Sequence, residues 1–148
     1  MNPIDEVWAH LSKISVVYFK ARSHSGIGWD GSGSGIVKVS RPAPDVLVFD
    51  ESGHFRKPDG KEMSFVNVFR WTRREDNLGL EHLRFGEGAP VFLFDMSCDE
   101  DGTWRELIPH PCRDDCYSAT LRVENGIVFV HWSVNGPERN EEIHYTYI

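Results

Sequence analysis

The sequence predicts an all-β protein: a single antiparallel meander of eight to ten strands, closed into a barrel, with one short N-terminal helix. From residue 16 onward, short stretches rich in β-branched and aromatic residues alternate apolar and polar positions. Turn signals separate these stretches at nearly regular intervals. A second helical pattern of useful length, which parallel strands would need as a crossover, does not occur. An open meander of this size leaves two exposed edges, and closure removes them.

The chain has 148 residues, which suits one domain spanning residues 1–148. A chain of this size can bury a sizeable core without disulfides or metals. Aromatic residues make up 12% of the chain, and they are common both in strands and in the walls of ligand cavities.

The first segment predicts the helix. Asn2 suits the N-cap position and Pro3 the first helical position. Four apolar residues follow at helical spacing and share one face. They are Ile4, Val7, Trp8 and Leu11. Because this face must lie against apolar surface, we expect the helix to cover one end of the barrel.

Ten stretches predict the strands. They are residues 16–19, 35–39, 46–51, 65–71, 79–85, 91–96, 104–108, 117–123, 127–134 and 143–148. We expect the last of them to close the barrel against the first. Asn125-Gly126 is the clearest hairpin signal and predicts a two-residue type I′ turn. Ser52-Gly53 is expected to be a turn, and residues 31–35 (GSGSG) a flexible loop near the barrel mouth.

Charge and cysteine content argue against several classes of protein. The net charge of −7 has the wrong sign for a nucleic-acid binder. The chain starts without a secretory signal, and its apolar runs are too short to span a membrane. We therefore expect a cytoplasmic protein with no nucleic-acid or membrane partner, in which Cys98, Cys112 and Cys116 are reduced. No cofactor or metal is predicted.

Residues 110–117 (HPCRDDCY) form the densest polar cluster of the chain. A zinc site is disfavoured because Cys112 and Cys116 lack the usual C-x2-C spacing. A Cys–His nucleophile requires a geometry that proximity in sequence does not supply. A binding site in which His110, Asp115 and Tyr117 orient a ligand at the barrel mouth is a third possibility. The simplest alternative is a tight connection held by Asp side chains.

Glu51 is a candidate for a buried acid. Strict alternation in the strand at residues 46–51 places it on the same face as Leu47 and Phe49, which points into the barrel. A carboxyl there would need a partner such as Arg or His, or would have a raised pKa. The alternative is that the strand ends at Asp50 and Glu51 belongs to a solvated turn. Trp71 and Trp132 lie on apolar stripes that would form both core and cavity wall.

The chain resembles a family of uncharacterised bacterial proteins, a domain of unknown function thought to form calycin-like, that is lipocalin-type, barrels. The resemblance rests mainly on H-x-C-x-x-D-x-Y at residues 110–117 and on W-x-V-x-G-P at residues 132–137. Two weaker motifs lie upstream. Phe49, Glu51 and Gly53 match Tyr/Phe-x-Glu-x-Gly, and Phe69 and Trp71 match aromatic-x-Trp. Arg139, Tyr145 and Tyr147 fit the stretch after Gly-Pro. The family usually has a basic residue directly after Gly-Pro, where this chain has Glu138.

These observations favour a barrel that binds one small, largely apolar molecule. Its expected ligand-binding residues are Glu51, Trp71, His110, Asp115, Tyr117, Trp132 and Arg139. One alternative is an enzyme that uses His110 and Asp115 for acid–base chemistry on a small cyclic or carbonyl compound. Another is an interaction or scaffold protein with a packed interior. Cavity volume separates the scaffold from the other two hypotheses.

Overall fold

The computed structural model describes residues 2–24, 30–107, 110–112, 115–137 and 140–148; the side chains at 110–112, 115 and 117 lie outside the description. Helix α1 spans Pro3–Leu11, and eleven strands follow in the described residues. The strands are β1 (Val16–Ser23), β2 (Gly31–Ala43), β3 (Val46–Arg56), β4 (Glu62–Arg73), β5 (Leu78–His82), β6 (Val91–Cys98), β7 (Trp104–Glu106), β8 (His110–Cys112), β9 (Asp115–Glu124), β10 (Ile127–Asn135) and β11 (Asn140–Tyr147).

Ten of these strands form a closed antiparallel barrel, as predicted. β1 to β7 pair in chain order, β7 pairs with β9, and β9, β10 and β11 continue the sheet. β11 then returns to β1, where Tyr147 lies opposite Val17, so the terminal strand closes the barrel against the first. β8 pairs with β9 alone among the described strands and lies outside the closed ring.

Helix α1 covers one end of the barrel, which confirms the prediction for this segment. The Asn2 side chain caps it by accepting a hydrogen bond from the Asp5 N–H at 3.1 Å. The four apolar residues of its inner face are buried in one cluster with barrel residues such as Val17 and Leu47. Because neighbouring strands are antiparallel, the opposite end is formed by the C-terminal ends of β1, β3, β5, β7 and β10 and by the N-terminal ends of β2, β4, β6, β9 and β11. We call this the open end.

The connection between β9 and β10 is the predicted type I′ turn. Asn125 has φ 52° and Gly126 has φ 79°, the two positive values that this turn requires. Glu124 and Ile127 lie opposite each other directly before and after it, so the turn fixes the register of the hairpin.

The glycine-rich segments differ from the prediction. Residues 31–35 are the start of β2 and not a loop, and Ser52-Gly53 lies inside β3 and not in a turn. Gly35 and Gly53 face each other across the two strands. A Cβ atom on Gly53 would overlap the Ser34 carbonyl oxygen, and one on Gly33 would overlap the Phe19 ring. Gly53 therefore lets the β2 and β3 backbones approach closely, and Gly33 leaves room for the Phe19 ring.

We expect Gly53→Ala to destabilise the protein by about 1–3 kcal/mol, because the added methyl group has no room beside the β2 backbone. Gly88→Ala is the matched control, since a Cβ at Gly88 meets nothing within 4 Å. Urea denaturation of both variants measures the difference. Equal stabilities would contradict the close approach of β2 and β3.

Helix α1 has nine residues, and among the described residues no helix has the length and apolar character needed to cross a bilayer.

Candidate functional site

Glu51 points into the barrel, as the alternation of β3 predicts. Its side chain is 2% exposed, and among the described residues it is the one charged side chain that is buried. β3 continues past it to Arg56, so the alternative, a solvated turn after Asp50, is wrong. In the sheet Glu51 lies opposite Val37 of β2 and Asn67 of β4.

Tyr147 is the hydrogen-bond partner of Glu51. Its hydroxyl donates to Oε2 of the carboxyl group at 2.7 Å. The two residues come from β11 and β3, which are separated in the sheet by β1 and β2, so the bond crosses the barrel interior. The other carboxyl oxygen, Oε1, has no hydrogen-bond partner among the described residues. Glu51 therefore retains one buried acceptor position.

The surroundings of Glu51 favour its protonated form. Burial raises the pKa of this carboxyl to about 7, and the hydrogen bond from Tyr147 partly opposes the shift. Burial also raises the pKa of both Tyr145 and Tyr147, and the nearby Glu51 carboxylate adds to the shift in each case. The two phenols are therefore neutral hydrogen-bonding groups, and near neutral pH Glu51 is the group that can gain or lose a proton.

A cavity of about 530 Å³ lies next to this pair, towards the open end of the barrel. Its walls include six aromatic side chains: Phe19, Phe55, Phe65, Phe69, Trp132 and Tyr145. The polar residues around it are Ser64, Asn67, His82 and Arg84. A concave, mostly apolar site of this volume with a few polar groups is typical of small-molecule binding sites.

Tyr145 connects the cavity to Glu51. Its ring lies 5.7 Å from Phe19, 6.3 Å from Phe69 and 6.4 Å from Trp132, measured between ring centroids. On the other side it stacks on Tyr147 at 5.7 Å. Asn67 provides a second connection, because it lines the cavity and lies opposite Glu51 in the sheet. Two wall residues thus link the cavity to Glu51: Asn67, which is its cross-strand neighbour, and Tyr145, which stacks on its partner Tyr147.

A second concavity, of about 540 Å³, lies on the outer face of β11, β1, β2 and β3. It runs along the small side chains of Ser32 and Ser34, between Tyr18 and Lys20 on one side and His54 on the other. Tyr18 is half exposed there. This groove faces solvent and has none of the buried polar groups of the interior, so the inner cavity is the stronger candidate site.

The two tryptophans predicted as ligand-binding residues have different surroundings in the structure. Trp132 on β10 lines the cavity, where its ring stacks against Tyr145. Trp71 on β4 is 1% exposed and packs against Phe49 in the core, with its ring centroid 6.2 Å away. Trp71 is therefore part of the packed core and is not among the residues that line the cavity.

The predicted polar cluster contains a hairpin at the open end. His110 on β8 lies opposite Tyr117 on β9, and Cys112 lies opposite Asp115. Tyr117 also lies opposite Val134 of β10. The side chains of His110, Asp115 and Tyr117, and the whole of Arg139, lie outside the described residues. Their predicted contacts with a ligand, and with Glu51, stay predictions.

Cysteines and metal ligands add little to this site. Cys98 and Cys116 are free thiols, and Cys116 is exposed. Within the described part of the chain, His, Cys, Asp and Glu side chains do not gather into groups of three that could hold a metal ion. The prediction that all three cysteines are reduced and metal-free extends to Cys112, whose side chain lies outside the description.

Sequence analysis alone missed Tyr145 and Tyr147 as site residues. Both were matched to a family motif, but neither was assigned to the site. The signal was present, because the two residues share one face of a strand that was expected to close the barrel. Asn67 and Phe69, which alternate with Trp71 along β4, are further cavity residues that the sequence did not assign to the site.

Fold and site together define a closed antiparallel β-barrel with an aromatic-walled cavity near Glu51, the one buried acid among the described residues. Residues 20–148 match the model of a family of unknown function, DUF6314, and the chain belongs to that family. No curated protein and no solved structure matches the chain.

Proposed function

We propose that this protein binds a small, largely apolar molecule inside the barrel, as lipocalin-type barrels do. The observation that carries the proposal is the aromatic-walled cavity of about 530 Å³ with Glu51 and Tyr147 beside it. Barrels of this size have room for one small guest. An interior volume of this kind argues against a scaffold whose barrel is fully packed.

Residues at the open end complete the proposed site. The backbones of His110, Asp115 and Tyr117 belong to β8 and to the start of β9, at this end of the barrel, and Arg139 falls in the sequence between β10 and β11. We propose that they provide polar contacts at the cavity mouth. We further propose that the protein is bacterial and cytoplasmic, that it needs no cofactor, and that it binds neither nucleic acid nor membranes.

Filling the cavity should weaken binding. Ala21 is buried and lines the cavity, so Ala21→Phe places a ring in the space that a ligand would occupy. We expect the affinity for N-phenyl-1-naphthylamine, an uncharged fluorescent probe of apolar sites, to fall about tenfold or more. The measurement is a fluorescence titration, accompanied by native mass spectrometry of freshly purified protein to detect a retained small molecule.

The matched control is Arg22→Phe, which adds the same ring at the next residue of β1, where the side chain is exposed. This variant should bind the probe as the wild type does. If the two variants bind equally well, the probe does not enter the barrel and the proposed site is wrong.

An acid–base enzyme of the same shape is a second candidate, and Glu51 favours it. A general base works best when its pKa is near the operating pH, and that of Glu51 is raised to about 7. Under this proposal a retained compound would be converted by the wild type and left unchanged by Glu51→Gln. Conversion at equal rates would exclude Glu51 as the base.

A further inference from the structure

We propose that the molecule bound in the barrel is an organic cation, an apolar or aromatic compound that carries a protonated amine. The inference rests on the proposed function, since it names the chemical class of the ligand for that same cavity. It follows from the charge and the hydrogen-bonding capacity of the described interior, together with the aromatic character of the cavity wall.

The charge of the interior is the first argument. Glu51 is the one buried charged side chain among the described residues, and its hydrogen bond comes from the neutral phenol of Tyr147. No buried cation among the described residues therefore balances the carboxylate, since the Arg84 side chain that lines the cavity is exposed. A buried carboxylate without a counter-charge is costly, and a cationic ligand would reduce that cost.

The free oxygen of Glu51 is the second argument. A carboxylate accepts several hydrogen bonds, but here Oε1 has no partner among the described residues. An ammonium group has three N–H donors and no acceptor. Glu51 does not itself line the cavity, so such a group would approach Oε1 through the part of the wall formed by Asn67 and Tyr145.

The aromatic wall is the third argument. Aromatic faces attract cations through their quadrupole, and they are the usual partners of organic ammonium groups in binding sites. Tyr145, which lies near Glu51, stacks on Trp132 in the cavity wall, and Phe69 lies edge-on to Tyr145. An acid beside several aromatic rings can therefore bind a cation both through an ion pair and through cation–π contacts.

The remaining polar groups do not reverse this preference. Those facing Glu51 are the phenols of Tyr147 and Tyr145 on β11 and the uncharged amide of Asn67 on β4; Val37 on β2 is apolar. Further along the cavity wall, burial and the nearby Arg84 lower the pKa of His82, so its imidazole is neutral at pH 7. Arg84 follows the end of β5 and lines the cavity, but its side chain is exposed and its guanidinium lies over the Phe85 ring, 5.2 Å from the ring centroid.

Binding of the cation should therefore compete with protonation of Glu51. Because the pKa of this carboxyl is about 7, the ionised fraction rises about tenfold between pH 6 and pH 8. An alkylammonium group, with a pKa near 10, stays charged over this range. We expect its affinity to rise about tenfold from pH 6 to pH 8, while the affinity of an uncharged ligand stays constant.

The test is displacement of N-phenyl-1-naphthylamine by 4-phenylbutylamine, 4-phenylbutan-1-ol and 4-phenylbutyrate, which share one apolar body and differ in their polar end. At pH 8 we expect the amine to bind about tenfold to hundredfold more tightly than the alcohol, and the acid to bind most weakly. Glu51→Gln should remove both the amine preference and the pH dependence. Asp50→Asn removes a neighbouring exposed acid of β3 and should preserve both.

The outcomes separate this inference from the proposed function. If the probe binds and the amine and the alcohol displace it equally at every pH, the inference is wrong and the proposed function stands. If the probe does not bind, the proposed function fails and the inference fails with it. Should Glu51→Gln not fold, the comparison of amine and alcohol across pH in the wild-type protein decides alone.

Discussion

Deleting residues 143–148 should abolish cooperative unfolding. This segment is most of β11, which pairs with β1 on one side and β10 on the other. Its loss opens the barrel and removes the buried rings of Tyr145 and Tyr147 together. We expect a loss of about 5 kcal/mol or more, comparable with the whole stability of many domains. Thermal and urea denaturation, followed by circular dichroism and tryptophan fluorescence, measure it.

The control for the deletion is a double variant, His144→Ser with Thr146→Ser. These positions alternate along β11 with Tyr145 and Tyr147, so the variant changes the outer face and leaves both the ladder and the core intact. It should unfold in a sharp transition near the wild-type temperature. A truncated chain that also melts sharply at that temperature would contradict the closed barrel.

Replacing Glu51 by Gln should stabilise the protein at pH 8 by about 3 kcal/mol and leave it nearly unchanged at pH 4.5. The pKa of Glu51 rises from 4.5 to about 7 on folding, which corresponds to about 3 kcal/mol. Below pH 4.5 the acid is protonated in both the folded and the unfolded state, so its burial adds no ionisation cost. The cost grows between pH 4.5 and pH 7 and is complete above pH 7. Urea denaturation at both pH values measures the difference.

Two further variants identify the cause of this effect. Asp50→Asn removes an exposed carboxyl from the same strand and should change stability by less than about 0.5 kcal/mol at either pH. Tyr147→Phe removes the hydroxyl that donates to Glu51, so it should destabilise the protein by about 1–3 kcal/mol at pH 8. A stability difference between wild type and Glu51→Gln that does not vary with pH would show that Glu51 is not a buried titrating acid.

Local signals predicted most of the fold. Helix α1 follows from its capping residues and apolar spacing, and the β9–β10 hairpin follows from Asn125-Gly126. Closure through β11 followed from the edges that an open meander would expose. These features depend on neighbouring residues or on a general property of sheets, and both are accessible from one sequence.

The glycine segments and the site were harder to predict for one physical reason. Positions 33 and 53 are strand positions that require glycine, because the Phe19 ring occupies the space beside Gly33 and the β2 backbone lies against Gly53. Glu51 could be placed on the inner face by alternation, but its partner Tyr147 is 96 positions away. Alternation gives the face of a residue, and only the closed barrel determines which side chains meet in its interior.

Strand β8 has a consequence for how copies of the protein behave towards one another. Closure gives every strand of the ring a paired neighbour on each side, so among the described strands β8 is the one that has a neighbour on one side only. β8 has three residues, and the central one, Pro111, has no N–H to donate. Short edges interrupted by proline are poor templates for the addition of a foreign strand. We therefore expect β8 to be a poor site for edge-to-edge association between copies of the protein, even at high concentration.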